Sequence, residues 1–143
     1  MSEATINPIE TLRAGCDILD EVLLPHGFQR GEITSGKGSG GHFAMCFYGR
    51  ADRRLELHFR WALGIVVYHF GTLSASHEDY MLTMLGFNGG NHYPGFARND
   101  PLEHFRQVSY DLKNFGDDFF NGDGRSLKRA AVEGPPKRKS RLP

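Results

Sequence analysis

An acid, an imidazole and a guanidinium stand two residues apart at Glu56, His58 and Arg60, inside the segment RRLELHFRWALGIVVYHF that runs from Arg53 to Phe70. On an extended chain, residues two apart point the same way, roughly 7 Å from one another. A carboxylate beside an imidazole favours the protonated ring, and such a pair can serve acid–base chemistry. His69 or Tyr68, on the neighbouring strand, joins them according to register. The ordinary alternative is a solvated ladder of cross-strand ion pairs, which antiparallel sheets commonly carry. A protein-docking surface lies between the two: it uses the same residue types and needs no catalytic geometry.

No other residue set defines a reaction. The glycine-rich SGKGSGG at residues 35–41 runs into His42 and Phe43, an apolar strand pattern, whereas a phosphate loop must open a helix. It reads as a flexible hairpin tip. The histidines at 26, 42, 58, 69, 77, 92 and 104 include no H-x-x-x-H pair. Asp117 to Asp123 lacks the calcium-loop ligands, since the third position is Phe119 and the twelfth Lys128. Neither serine of the glycine-rich turn lies in a G-x-S-x-G elbow. Cys46 is flanked by Met45 and Phe47, which suits packing rather than thiolate chemistry. No catalytic residue, metal site or cofactor is therefore assigned. Tyr93 and Arg98, with His92 and Phe96 in the loop at 88–99, have the composition of interface anchors; a covering loop that folds Tyr93 and Phe96 onto the core is the alternative.

The elements that must hold these residues follow from periodicity. Leu55, Leu57, Phe59 and Trp61 alternate with the polar row and form the buried side of the strand. Ahead of it, Asn7 caps a helix from Pro8 to Leu24, with Pro8 at its first position, Glu10 in the capping box, and Ile9, Leu12, Cys16, Leu19 and Leu23 on one face. Four strands are expected, at 28–34, 42–48, 53–60 and 65–70, joined by short turns and hence antiparallel. One long strand from Arg53 to Phe70, bulged at Gly64, is the alternative to the last hairpin. Ser76 caps a helix over 77–85. Asp100-Pro101-Leu102-Glu103 opens another, with Leu102, Phe105, Val108, Leu112 and Phe115 on one stripe and Phe119 continuing it. Ser126 to Val132 adds a helical turn. The expected fold is α+β: a four-stranded antiparallel meander, with an N-terminal helix and two C-terminal helices packed mainly on one face. The other face, bearing Glu56, His58 and Arg60, stays partly open.

The 143 residues suit one domain, at 1–124, and a basic, largely disordered tail at 125–143. The formal charge is zero, but the tail carries seven basic residues and one acid, Glu133, which leaves an acidic body. An acidic body argues against broad nucleic-acid binding by the domain; the tail, with KRKSR, allows a weak nucleic-acid contact. Two cysteines make no disulfide framework. MSEATINPIETL lacks the marks of a secretory signal, and no apolar run is long enough to cross a membrane, so a cytoplasmic protein is expected.

The segment LELHFRWALGIVVYHFG, then LSASHEDYMLTMLG, then YPGF and DPLEHF, resembles small uncharacterised bacterial proteins, some of them similar in size and layout to immunity proteins of polymorphic toxin systems. The likeness covers residues 28–120 and transfers no functional residue. It implies a non-enzymatic module that binds a toxin or effector enzyme and blocks it. Glu56, His58, Arg60, Tyr93 and Arg98 are the expected partner contacts. A small acid–base enzyme on the open sheet face and a nucleic-acid accessory protein acting through the tail are the competing readings.

Overall fold

A computed structural model of the chain describes residues 7–38, 41–85 and 100–133. Helix α1 spans Pro8–Leu23. The Asn7 side chain accepts hydrogen bonds from the amides of Ile9 and Glu10 at 3.0 and 3.2 Å, which satisfies amide groups that the helix start leaves open. The buried stripe keeps Leu12, Cys16, Leu19 and Leu23 of the expected face and adds Gly15 and Val22, while Ile9 is only half-buried. A short 3-10 turn at Leu24–His26 follows, and Gly27 closes it at φ 87°, a left-handed conformation suited to glycine.

The sheet has six strands rather than four: β1 (Gln29–Arg30), β2 (Thr34–Gly38), β3 (Gly41–Arg50), β4 (Arg53–Phe59), β5 (Leu63–Phe70) and β6 (Leu73–Ser76). Every pairing is antiparallel, in the order β1-β3-β4-β5-β6, with β2 beside another stretch of β3. The single strand expected over 28–34 is thus two, broken at residues 31–33, where the Gly31 amide still donates to the Phe47 carbonyl at 2.7 Å. The supposed hairpin tip is largely strand as well, since Ser35 to Gly38 pair with Ala44 to Gly41. Strand β6, LSAS, has weak intrinsic strand preference and forms by pairing with β5.

The β4–β5 connection is a hairpin. Phe59 pairs with Leu63 and His58 with Ile65, which leaves Gly64 opposite no residue. This one-residue bulge lets Leu63 point inward along with Val66 and Tyr68. Trp61 is not on the buried side, contrary to the alternation. Strand β4 ends at Phe59, the Arg60 amide bonds to the Ala62 carbonyl across the turn, and Trp61 is 66% exposed.

Helix α2 is His77–Leu85, and the Ser76 hydroxyl caps it by accepting from the Asp79 amide at 3.1 Å. Helix α3 is Glu103–Phe115; Asp100 accepts from the Leu102 amide at 2.9 Å, so Pro101 and Leu102 form a turn ahead of the helix rather than its first positions. Helix α4 (Asp117–Phe120) buries Phe119 and Phe120. Helix α5 spans Arg125–Glu133 and buries Leu127 and Ala130 against α2 and β6. The basic segment therefore begins with a packed helix; residues 134–143 lie outside the described residues.

The five helices among the described residues lie on one side of the sheet. Ala44, Cys46, Tyr48, Leu55, Leu57 and Phe59 meet Leu12, Cys16, Leu19, Phe105 and Val108 there in one core cluster. No helix among the described residues is long and apolar enough to cross a membrane.

Candidate functional site

The open side of the sheet carries the residues opposed in register to the polar row. Phe47 faces Glu56, which faces Val67; Met45 faces His58, which faces Ile65; Arg54 faces His69. Glu56 and His58 do come together. One carboxylate oxygen of Glu56 lies 2.6 Å from His58 Nε2, and the other lies 2.8 Å from His69 Nε2. Of the two neighbours that register allowed, it is His69 that joins, because Tyr68 points into the core. The side chains of Glu56, His58 and His69 are 21%, 22% and 20% exposed. Partial burial by itself pushes the Glu56 carboxyl up, but the hydrogen bonds from His69 and His58 outweigh it and hold Glu56 below its ordinary value of 4.5.

Arg60 does not join this cluster. It leaves β4 in the turn, and its guanidinium lies 5.7 Å from the ring centres of both Phe43 and Trp61. Arg54 lies 5.0 Å over the Phe47 ring. Neither guanidinium has a carboxylate partner among the described residues. The rings prepay part of the ordering cost that a flexible arginine meets on binding. The Phe43 ring also stacks over His58, at 6.2 Å and an interplanar angle of 18°.

The adjoining strand β2 explains its own glycines. A Cβ on Gly36 would lie 2.7 Å from the tip of the Phe43 ring, and one on Gly38 would lie 3.1 Å from the Arg60 guanidinium. The two glycines are a flat bed for an aromatic ring and a cation. Beside them, a groove of about 510 Å³ opens at the end of the sheet between Phe43, His58, Phe59, Arg60, Trp61 and Ile65.

Besides Glu56 on the open face, three acids of the body stand elsewhere. Glu10, Asp17 and Glu21 are exposed on α1, behind the sheet, while the open face presents Arg54 and Arg60. The basic residues of α5 are partly committed to the fold: Lys128 sits 4.8 Å over the Phe70 ring, and Arg129 donates to the Thr83 carbonyl at 2.8 Å. Tyr93 and Arg98, the remaining expected contacts, lie outside the described residues.

Further polar clusters are internal. Tyr68 shares a 2.7 Å hydrogen bond with His77 Nδ1, and His77 Nε2 lies 2.8 Å from Asp111. All three are fully buried, and burial, with the Asp111 charge beside it, drives the Tyr68 hydroxyl well above its ordinary range. The geometry resembles a proton relay, but it is sealed from substrate and ties β5 and α2 to α3. Cys16 and Cys46 are free thiols in the core; the hydrogen bond to Cys46, then burial, pushes the Cys16 thiol up. Both behave as small apolar residues. Among the described residues, no group of three metal-ligating side chains is placed to hold an ion.

Phe43, Phe47, Arg54 and Trp61 belong to this surface and are absent from the expected contacts. The available signal was HFAMCFY, which is apolar at successive positions rather than at alternate ones. Such a strand is apolar on both faces, and among the described residues only one of those faces is covered by helices.

Comparison with protein-family models, with curated proteins and with solved structures gives no match.

Proposed function

We propose that this chain is a protein-binding module and that the open face of its sheet is the docking surface. The observation that carries the reading is the pair of arginines without a carboxylate partner among the described residues, Arg54 on the Phe47 ring and Arg60 between Phe43 and the exposed Trp61. Tryptophan and arginine held against apolar side chains are the residues that dominate protein interfaces. The resemblance to immunity proteins narrows the module to an inhibitor that covers a toxin or effector enzyme. Because the face is basic, the complementary surface of the partner is acidic.

An acid–base enzyme at the same place is less favoured. Its general base would be Glu56, and both oxygens of that carboxylate are engaged by imidazoles of the domain itself. A substrate proton would have to displace one of them.

The test is site-directed photo-crosslinking in host lysate, with benzoylphenylalanine at position 65 on the open face or at position 13 on the exposed side of α1. The expected result is one cross-linked species from position 65, competed away by unlabelled protein, and none from position 13. Cross-linking from position 13 alone would overturn the reading.

A further inference from the structure

We infer that the groove at the Trp61 end of the open face takes a carboxylate carried on a bulky apolar body, supplied by the docked partner as an acidic group beside an aromatic or branched side chain. The inference rests on the docking reading above and names the chemistry of the partner at this point.

The walls of the groove come from Phe43, Phe59, Trp61 and Ile65, which give it an apolar lining. Its volume of about 510 Å³ falls within the roughly 300–1,000 Å³ of ordinary ligand pockets. Such a lining selects an apolar group but sets no orientation. Arg60 sets it. The guanidinium is flanked by the faces of Phe43 and Trp61, so the groups left to bind are the in-plane N–H donors, whose fork matches a carboxylate. The nearest acid on the strand, Glu56, is held by His58 and His69 and does not neutralise Arg60. A cation against an apolar lining, with no internal counter-ion among the described residues, calls for an anion from outside. The glycines of β2 support the same geometry, since Gly38 lies against the Arg60 guanidinium and Gly36 against the Phe43 ring, and side chains there would displace both.

Trp61 is the only tryptophan of the chain, so its emission reports on this groove directly. The probes are 4-phenylbutyrate and its neutral amide, 4-phenylbutyramide, titrated against the full chain and against Arg60→Gln, with folding verified by circular dichroism. A ligand of this size binds in the millimolar range at about 0.3 kcal/mol per heavy atom. The expected result is saturable quenching by the carboxylate, at least ~10-fold tighter than by the amide, equivalent to about 1.4 kcal/mol. In Arg60→Gln the two probes should bind alike. Equal binding of acid and amide to the wild-type chain overturns the inference, as does a preference that survives Arg60→Gln or the absence of saturable quenching by either probe. The cross-link from position 65 separates this from the parent reading. If the cross-link persists without a preference for the acid, only the carboxylate claim is lost. A preference for the acid without the cross-link leaves a small-carboxylate site and removes the docking surface.

Discussion

Glu56 is the residue whose removal the structure lets one price. Its two oxygens receive Nε2 of His58 at 2.6 Å and Nε2 of His69 at 2.8 Å, so Glu56→Ala deletes two hydrogen bonds to a charged acceptor. Each is worth about 1.5–3 kcal/mol when dry. All three side chains keep about a fifth of their exposure, and screening at this depth reduces the sum to about 2 kcal/mol. Glu56→Gln separates charge from contact. Its amide can accept from one imidazole and donate to the other in its neutral form, so about 1 kcal/mol should be lost. Urea unfolding measures both: the midpoint should fall in the order wild type, Gln, Ala, with unchanged slope. The pH dependence follows from the direction of the Glu56 shift. A carboxyl held below 4.5 in the fold contributes stability that is fully present above its unfolded value and fades as pH falls through the lower folded value. The gap between wild type and Glu56→Gln should therefore close in acid below about pH 4.5. An alanine variant within about 0.5 kcal/mol of wild type, the usual spread of surface substitutions, would refute the reasoning and return the cluster to an ordinary solvated ladder.

Asp118 accepts from the Tyr80 hydroxyl at 2.7 Å and from the Ser126 and Leu127 amides at 3.2 Å. Asp118→Ala should cost about 2–3 kcal/mol through the lost cap and a stranded buried hydroxyl, read as a thermal shift, with Asp118→Asn restoring part of it. Gly15→Ala should destabilise by up to about 2 kcal/mol in denaturant titration. The new methyl would sit 2.4 Å from the buried Phe105 ring, and overpacking of about 1–3 kcal/mol exceeds the gain of about 1 kcal/mol in helix propensity; a stabilised variant would contradict this. Asp111→Ala removes the hydrogen bond to His77 Nε2 in a fully buried site and should cost about 1.5–3 kcal/mol, measured by the same titration.

The parts of the fold that are local were legible in the chain. Asn7, Pro8 and the apolar stripe specify α1, Ser76 specifies the start of α2, and the period of two across Leu55, Leu57 and Phe59 specifies the buried face of β4. Strands β2 and β6 were not legible, since TSGKG and LSAS carry little strand preference and are strands only because β3 and β5 stand beside them. The same limit applies to the site. The Glu56–His58 contact follows from spacing within one strand. The His69 contact follows from a register that the Gly64 bulge helps set, and the positions of Arg60 and Trp61 from a turn that breaks the alternation after Phe59. Glu56, expected as a partner contact, also holds the face together. Arg54 and Arg60 are the better pair with which to probe binding, because neither has a carboxylate partner among the described residues.

The most direct measurement is the amount of partner retained by immobilised Arg54→Ala/Arg60→Ala relative to wild type, at matched folded fraction and fixed salt. Loss of two interface arginines at about 1–2 kcal/mol each predicts retention below about a tenth. Retention equal to wild type would contradict the claim that the open sheet face is where this protein binds.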